Sequence, residues 1–181
     1  MKLDDTITQQ INSLAGNSNI LDVAVILLAK WGVFVLVALI AFRWWSKGNR
    51  DLSRYGAISC GLATALGLLL NQLILIFVDR TRPYDLGVTN LIIEKSRDPS
   101  FPSDHATVVF AITVSLLLRR DRHVPFYFLA ALLVGLSRVY IGTHYVSDVI
   151  GGAATAALAA SLVHFLYKRE SALNRWLVQV L

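Results

Sequence analysis

The stretch Ser137-Arg138-Val139-Tyr140-Ile141-Gly142-Thr143-His144-Tyr145-Val146-Ser147-Asp148, with Pro102-Ser103-Asp104-His105 upstream, decides how this chain is read. Each lies at the end of an apolar segment of a length suited to crossing a bilayer. In the longer stretch His144 follows Arg138 by six positions and precedes Asp148 by four. A lone His–Asp pair at that spacing is common by chance. The same pair with Ser-Arg before it, and Pro-Ser-x-His on the preceding span, is not. Gly142 permits the turn that brings the chain back. His144 and Asp148 then share one face at the start of the next helix.

Working outward, the composition points to a membrane. Of 181 residues, 55% are apolar and 16% charged, and the mean hydropathy is +0.57, values a soluble domain of this size rarely reaches. With about 20 apolar residues needed per spanning helix, five segments qualify or come close: 20–42, 56–78, 103–118, 125–142 and 147–167. The third is short, but Pro102 and Ser103 suit a helix start. Leu3, Ile7, Ile11 and Leu14 recur at helical spacing in a segment too polar to span, which predicts an interfacial helix. The expected fold is therefore all-α: a polytopic membrane bundle of about five transmembrane helices plus an amphipathic N-terminal helix, one domain over 1–181. Asp4, Asp5, Gln9 and Gln10 stand where a cleavable signal peptide would be apolar, so none is expected. Cys60 is the only cysteine, so no intramolecular disulfide can form.

The net charge of +5 is explained by topology. Arg43, Lys47, Arg50 and Arg54 fall between the first two spans. Arg119, Arg120 and Arg122 fall between the third and fourth, and Lys168, Arg169 and Arg175 follow the fifth. Ten of the seventeen basic residues thus lie on one side, which the positive-inside rule makes cytoplasmic. Both histidine motifs then face outward, and nucleic-acid binding is not expected.

The residues at that outer face suit phosphate. Arg80 and Arg82 leave the second span beside Pro83. Arginines there often only anchor a helix at the interface. Two of them on the side of both histidines favour anion binding, because the planar guanidinium matches phosphate oxygens bidentately. Ser103 caps the third span, whose N-terminus presents free N–H groups and the positive end of the helix dipole. His105, in the first turn, is placed to act as a general acid. A carboxylate bonded to one ring nitrogen of His144 would leave the other free to attack. Asp148 is the candidate, against a purely structural pair joining two helices. Lys30 stands near the middle of the first span, where a lysine is costly and usually faces the protein interior. It is expected to point toward the same polar cavity, unless that span begins later and the lysine snorkels outward.

A metal centre is the competing chemistry, since His105, His144, Asp104 and Asp148 are legitimate ligands for zinc or manganese. The convergent arginines would repel a cation, and no His-Glu-x-x-His spacing is present, so no metal or other cofactor is expected. His123 and His164 are assigned no role. Gly152, Ala156 and Ala160 recur every fourth position of the fifth span, a surface on which another helix can pack closely.

Taken together, these residues resemble the signature of the type 2 phosphatidic acid phosphatase superfamily, whose motifs read K-x6-R-P, P-S-G-H and S-R-x5-H-x3-D. The third is matched in full by Ser137, Arg138, His144 and Asp148. The second is matched by Pro102, Ser103 and His105, with Asp104 in place of glycine. The first is half present: Arg82 and Pro83 fit, but Leu75 occupies the lysine position. Arg80 and Lys30 are the candidates for the missing cation. Ser-Phe-Pro-Ser-Asp-His, Asp-Arg-Thr-Arg-Pro and the Ala-Lys-Trp-Gly of the first span are similar to the bacterial undecaprenyl-diphosphatases of the bacitracin-resistance type, over roughly 20–165.

The resemblance implies an antiparallel bundle, usually of six helices, that works without a metal. It implies His144 as nucleophile forming a phosphohistidine, oriented by Asp148, with His105 protonating the leaving group and then activating water. Arg82, Arg138 and Ser103 would hold the phosphoryl oxygens. The expected activity is hydrolysis of a lipid phosphate within the bilayer, at the outer face of a bacterial plasma membrane, with undecaprenyl diphosphate as substrate. Rival expectations are phosphatidate or phosphatidylglycerophosphate hydrolysis, phosphate transfer from a lipid diphosphate to a sugar, and a non-enzymatic transporter or scaffold binding anionic lipid. Repeated halves or broken helices would mark a transporter. The 84–101 loop is expected to cover the headgroup, with Ile92 and Ile93 dipping into lipid.

Overall fold

The computed structural model describes residues 2–45, 50–172, 174 and 176; Lys47 and Arg175, counted above among the basic residues, lie outside them. The described residues form six α-helices and no strand: α1 Lys2–Asn12, α2 Asn19–Phe42 with a 3-10 turn at Arg43–Trp45, α3 Arg50–Leu75, α4 Asp104–Leu118, α5 Val124–Tyr140 and α6 Val146–Leu166. Three of them, α2 with its 3-10 turn, α3 and α6, are long and apolar enough to cross a membrane. The other two expected spans, α4 and α5, are apolar but only 15 and 17 residues long. At about 1.5 Å per residue, neither covers a hydrocarbon core of about 30 Å by itself.

The short length of α4 follows from its position. It packs on α3, α5 and α6, and nine of its fifteen residues are buried, so protein rather than lipid surrounds it. The predicted small-residue stripe of α6 is what admits it: Gly152, Ala156 and Ala160 are buried. A Cβ on Gly152 would stand 2.5 Å from the Ser103 carbonyl and 3.0 Å from Ala106 Cβ. Thr107 Oγ1 donates across this contact to the Gly152 carbonyl at 3.2 Å. Outside the bundle the pattern reverses, with Ile20, Phe77 and Leu166 at least 80% exposed. Large apolar side chains in water would be unstable in that arrangement; facing lipid tails they are at home.

The N-terminal helix is amphipathic as expected, and its polar face is the one turned inward. Leu3 is 74% exposed, whereas Thr8 and Asn12 are buried. Asn12 donates to the carbonyls of Asn90 and Tyr140 and accepts from the Asn90 N–H, all within 2.9 Å. Thr8 Oγ1 accepts from the Val146 N–H at 3.1 Å. The helix thus lies across the α5–α6 turn with Leu3, Ile7 and Leu14 outward, while Ile11 of the same stripe packs on the cluster of Ala29, Tyr140 and Ile141. Ile92 and Ile93 depart from expectation. They pack against the buried cluster of Ala29, Tyr140 and Ile141 instead of reaching into lipid, and the Ile92 N–H donates to the Ile141 carbonyl at 3.3 Å.

Up-and-down connectivity brings the ends of α3 and α5 and the starts of α4 and α6 together at one end of the bundle. Arg43, Arg50, Arg54, Arg119, Arg120, Arg122, Lys168 and Arg169 gather at the other, where Arg43 forms an ion pair with Asp121.

Candidate active site

A cavity of about 320 Å³ opens at the first of these ends, lined by His105, His144, Arg82 and Arg138 together with Gln72, Leu75, Asp98 and Asp104. Four elements contribute. His105 sits in the first turn of α4, Arg138 in the last turn of α5 and His144 in the α5–α6 turn. Arg82 comes from the loop after α3. Gly142 makes the α5–α6 turn possible: its φ is +86°, and a Cβ there would fall 2.5 Å from the Asn90 carbonyl oxygen.

His144 is 4% exposed. Its Nδ1 lies 2.8 Å from the Ser100 carbonyl oxygen, an atom that only accepts. Nδ1 therefore carries the ring proton and Nε2 is left with its lone pair, 3.5 Å from Arg82 Nη1. The spacing had suggested Asp148 as the direct partner. Asp148 Oδ2 stands farther off, 3.5 Å from Nδ1, because that carboxylate is saturated elsewhere. Oδ2 accepts from the Tyr145 N–H at 2.8 Å and from the Ser100 hydroxyl; Oδ1 accepts from Arg80 Nη1 at 2.6 Å. Asp148 orders both ends of the Ser100–His144 contact without being its principal acceptor. Burial pushes the His144 pKa down and the neighbouring Arg138 and Arg82 push the same way, while Asp148 opposes them.

Arg82 and Arg138 are each 8% exposed, and among the described residues neither has a carboxylate partner. Arg82 donates to the carbonyls of Asp98 at 2.7 Å and Thr143 at 3.0 Å. Among the described residues the Arg138 side chain reaches only the Ala29 carbonyl, at 3.4 Å, and its Nε is buried without an acceptor. Ser103 is fully buried behind Pro102 and Asp104; its N–H donates to the Asp148 carbonyl at 3.1 Å and its hydroxyl has no partner. Asp104, where the motif has glycine, is held by Asn71 Nδ2 at 2.7 Å. The Phe101–Pro102 peptide preceding it is cis.

Two of the expected phosphate ligands stand elsewhere. Arg80 does not line the cavity. Its guanidinium bridges Asp148, Asp4 and the Ser147 hydroxyl within 2.7 Å and lies over the Tyr145 ring. Lys30 is exposed on α2, on the opposite side of the helix from the interior it was expected to face. Leu75 itself lines the cavity at the motif's lysine position, and Gln72, one turn earlier on α3, is the polar side chain beside it. Sequence reasoning missed Ser100, although it stands in the quoted Ser-Phe-Pro-Ser-Asp-His run, because its carbonyl meets His144 and its hydroxyl meets Asp148 only across 44 and 48 residues of chain. It also missed Asp4, whose contact depends on where α1 docks. No group of three or more His, Cys, Asp or Glu side chains able to hold a metal occurs among the described residues.

Residues 56–171 match the PAP2 superfamily, and the chain belongs to that superfamily. It is a multi-pass membrane protein and a phosphatase of this type. It is 31% identical over 169 residues to the undecaprenyl-diphosphatase BcrC of Bacillus subtilis, an alignment covering 93% of this chain and 84% of the relative. Among solved structures, LpxE of Aquifex aeolicus superposes with a TM-score of 0.73 at 26% identity, over 87% of this chain and 92% of that one. The PAP2-type phosphatidylglycerolphosphate phosphatase of Bacillus subtilis superposes with a TM-score of 0.68 at 24% identity, over 94% and 87%, and shares the fold.

Proposed function

We propose that this chain hydrolyses the terminal phosphate of an isoprenoid diphosphate, converting undecaprenyl diphosphate to undecaprenyl phosphate at the outer face of a bacterial plasma membrane. The observation that carries the reading is the pair Arg82 and Arg138, both 8% exposed and lacking a carboxylate partner among the described residues, beside the unprotonated Nε2 of His144. Two buried guanidinium charges without an acid are costly unless an anion joins them, and here the anion would meet a nucleophile. The cavity, about 320 Å³, suits a diphosphate headgroup; a polyprenyl chain would stay in the bilayer. The diphosphatase relative spanning 93% of this chain supports an isoprenoid diphosphate over a glycerolipid.

In the proposed mechanism His144 Nε2 attacks the terminal phosphorus while the bond to the bridging oxygen breaks. The lipid phosphate leaves with a proton from His105. Nδ1–H, held by the Ser100 carbonyl, keeps the imidazolium oriented as positive charge develops. His105, now basic, takes a proton from water as that water attacks the phosphohistidine, and inorganic phosphate is released. Arg82 and Arg138, which line the cavity, neutralise the equatorial oxygens in both steps, so no metal is required; the Ser103 hydroxyl, buried outside that lining, takes no part. Turnover returns carrier lipid to cell-wall synthesis and removes the diphosphate that bacitracin sequesters.

The test is phosphate release by the purified protein in EDTA from three substrates: undecaprenyl diphosphate, phosphatidate and phosphatidylglycerophosphate. The highest kcat/KM on the isoprenoid diphosphate, lost in His144→Ala, is expected. Preference for either glycerolipid would overturn the substrate assignment, and loss of activity in EDTA would overturn the metal-free mechanism.

A further inference from the structure

A second recess, about 740 Å³, lies at the end of the bundle opposite the candidate site. Arg43, Arg119, Arg120 and Arg122 face it against one carboxylate, Asp121. That carboxylate is already engaged: it pairs with Arg43 and accepts from the His123 backbone N–H at 2.9 Å. Among the described residues the other three guanidinium charges, those of Arg119, Arg120 and Arg122, have no acid. Arg119 donates through Nη1 to the Ser115 carbonyl at 3.0 Å and lies over the Tyr55 ring, but its Nε and Nη2 are buried with no acceptor among the described residues. Buried donors of that kind are rare in a finished fold.

The backbone points the same way. Arg120 has a φ of +55°. It is the left-handed residue of a Schellman ending on α4: its N–H donates to Leu117 at 2.9 Å and that of Asp121 to Leu116 at 3.0 Å. Glycine is favoured at this position, yet an exposed arginine stands there. The walls beside these cations are apolar, supplied by Leu39, Leu52 and Phe126. Sidedness of charge accounts for arginines in a loop. It does not account for an arginine that lines a recess with greasy walls while two of its nitrogens are buried without an acceptor among the described residues.

We propose that this recess binds the phosphate headgroup of an anionic phospholipid in the leaflet opposite the candidate site, the arginines taking the phosphate and the walls the adjoining acyl chain. A free phosphate would use the cations and leave the walls without a role. The site is independent of the catalytic reading.

The experiment is native mass spectrometry of the delipidated full-length protein with phosphatidylglycerol or phosphatidylcholine of matched chains. Phosphatidylglycerol should be retained about tenfold more strongly, and Arg120→Gln with Arg122→Gln, two exposed positions, should remove about a tenfold preference. His144→Ala should leave retention unchanged, which separates this site from the catalytic cavity. Arg120→Gly should raise the melting temperature by relieving the backbone while weakening retention. Equal retention of the two lipids, an unaffected double variant, or displacement by millimolar inorganic phosphate would overturn the proposal.

Discussion

Arg80 donates to Asp148 Oδ1 at 2.6 Å and, through its other terminal nitrogen, to Asp4 at 2.7 Å. An arginine that the sequence offers to the substrate is thus tied to the carboxylate behind the histidine, and through Asp4 to the N-terminal helix. The role follows from the wiring: Arg80 neutralises a fully buried carboxylate and fixes its orientation, and Asp148 in turn anchors Ser100.

Arg80→Gln should therefore lower kcat by roughly 10- to 100-fold, the usual effect of losing a group that orients a reacting side chain, with KM little changed. Stability should fall by about 1–3 kcal/mol, below the full effect of breaking a buried pair because Arg80 is about a quarter exposed. Asp4→Asn should act in the same direction, more weakly. Steady-state kinetics and a melting curve check this. A large rise in KM at constant kcat would instead place Arg80 on the substrate.

Arg82→Ala or Arg138→Ala should reduce kcat/KM by about 10²–10³-fold, as expected when a preorganised donor to a developing charge is removed. Arg138→Lys should not restore activity, since a point charge cannot reproduce the guanidinium fork. Lys30→Met should leave both constants unchanged, in keeping with its exposure on α2. A KM that rises in the Lys30 variant would contradict this geometry.

The pH dependence has a definite sign. Burial, assisted by Arg138 and Arg82, holds the His144 pKa below its ordinary value, which is about 6.5. The neutral nucleophile is then present throughout neutral pH, and the limb of kcat/KM that belongs to His144 should fall on the acid side of about 6.5. Because the unfolded chain binds this proton more readily, the same group removes stability as pH falls below that value. Asp148→Asn eliminates the one influence raising the pKa, so the acid limb should move lower. An acid limb above the ordinary histidine value would contradict the assignment.

Gly142→Ala should destabilise the protein by about 1–3 kcal/mol, combining a left-handed backbone with a Cβ that collides with the Asn90 carbonyl. The melting temperature reads this directly. Because the turn carries His144, activity should fall further than stability alone explains.

How much of this was legible depended on whether each feature is local. The Arg138–His144–Asp148 spacing, the Gly142 turn and the small-residue stripe of α6 are set within a dozen neighbouring residues, and sequence periodicity conveys them. The division into six helices was legible for the same reason. The shortness of α4 reads as a weak span until its burial among α3, α5 and α6 is seen. The places of Arg80, Ile92 and Ile93 depend on how α1 and the 76–103 loop dock, and that of Lys30 on which face α2 turns to α5, none of which periodicity encodes. Asp148 illustrates the limit: its spacing from His144 was plain, but its three competing donors come from Ser100, Tyr145 and Arg80, so the contact with the ring is the longer one.

The central claim is that His144 carries the phosphoryl group, and the direct measurement is to trap it. Wild-type and His105→Ala proteins would be mixed briefly with undecaprenyl diphosphate radiolabelled in its terminal phosphate, quenched in alkali and mapped by peptide. A lipid phosphate is a weakly basic leaving group, so loss of His105 should impair the water step more than the first step. The account predicts an alkali-stable, acid-labile label on His144 that accumulates in the His105→Ala protein. Label on another residue, or none in either protein while the wild type turns over, would contradict it.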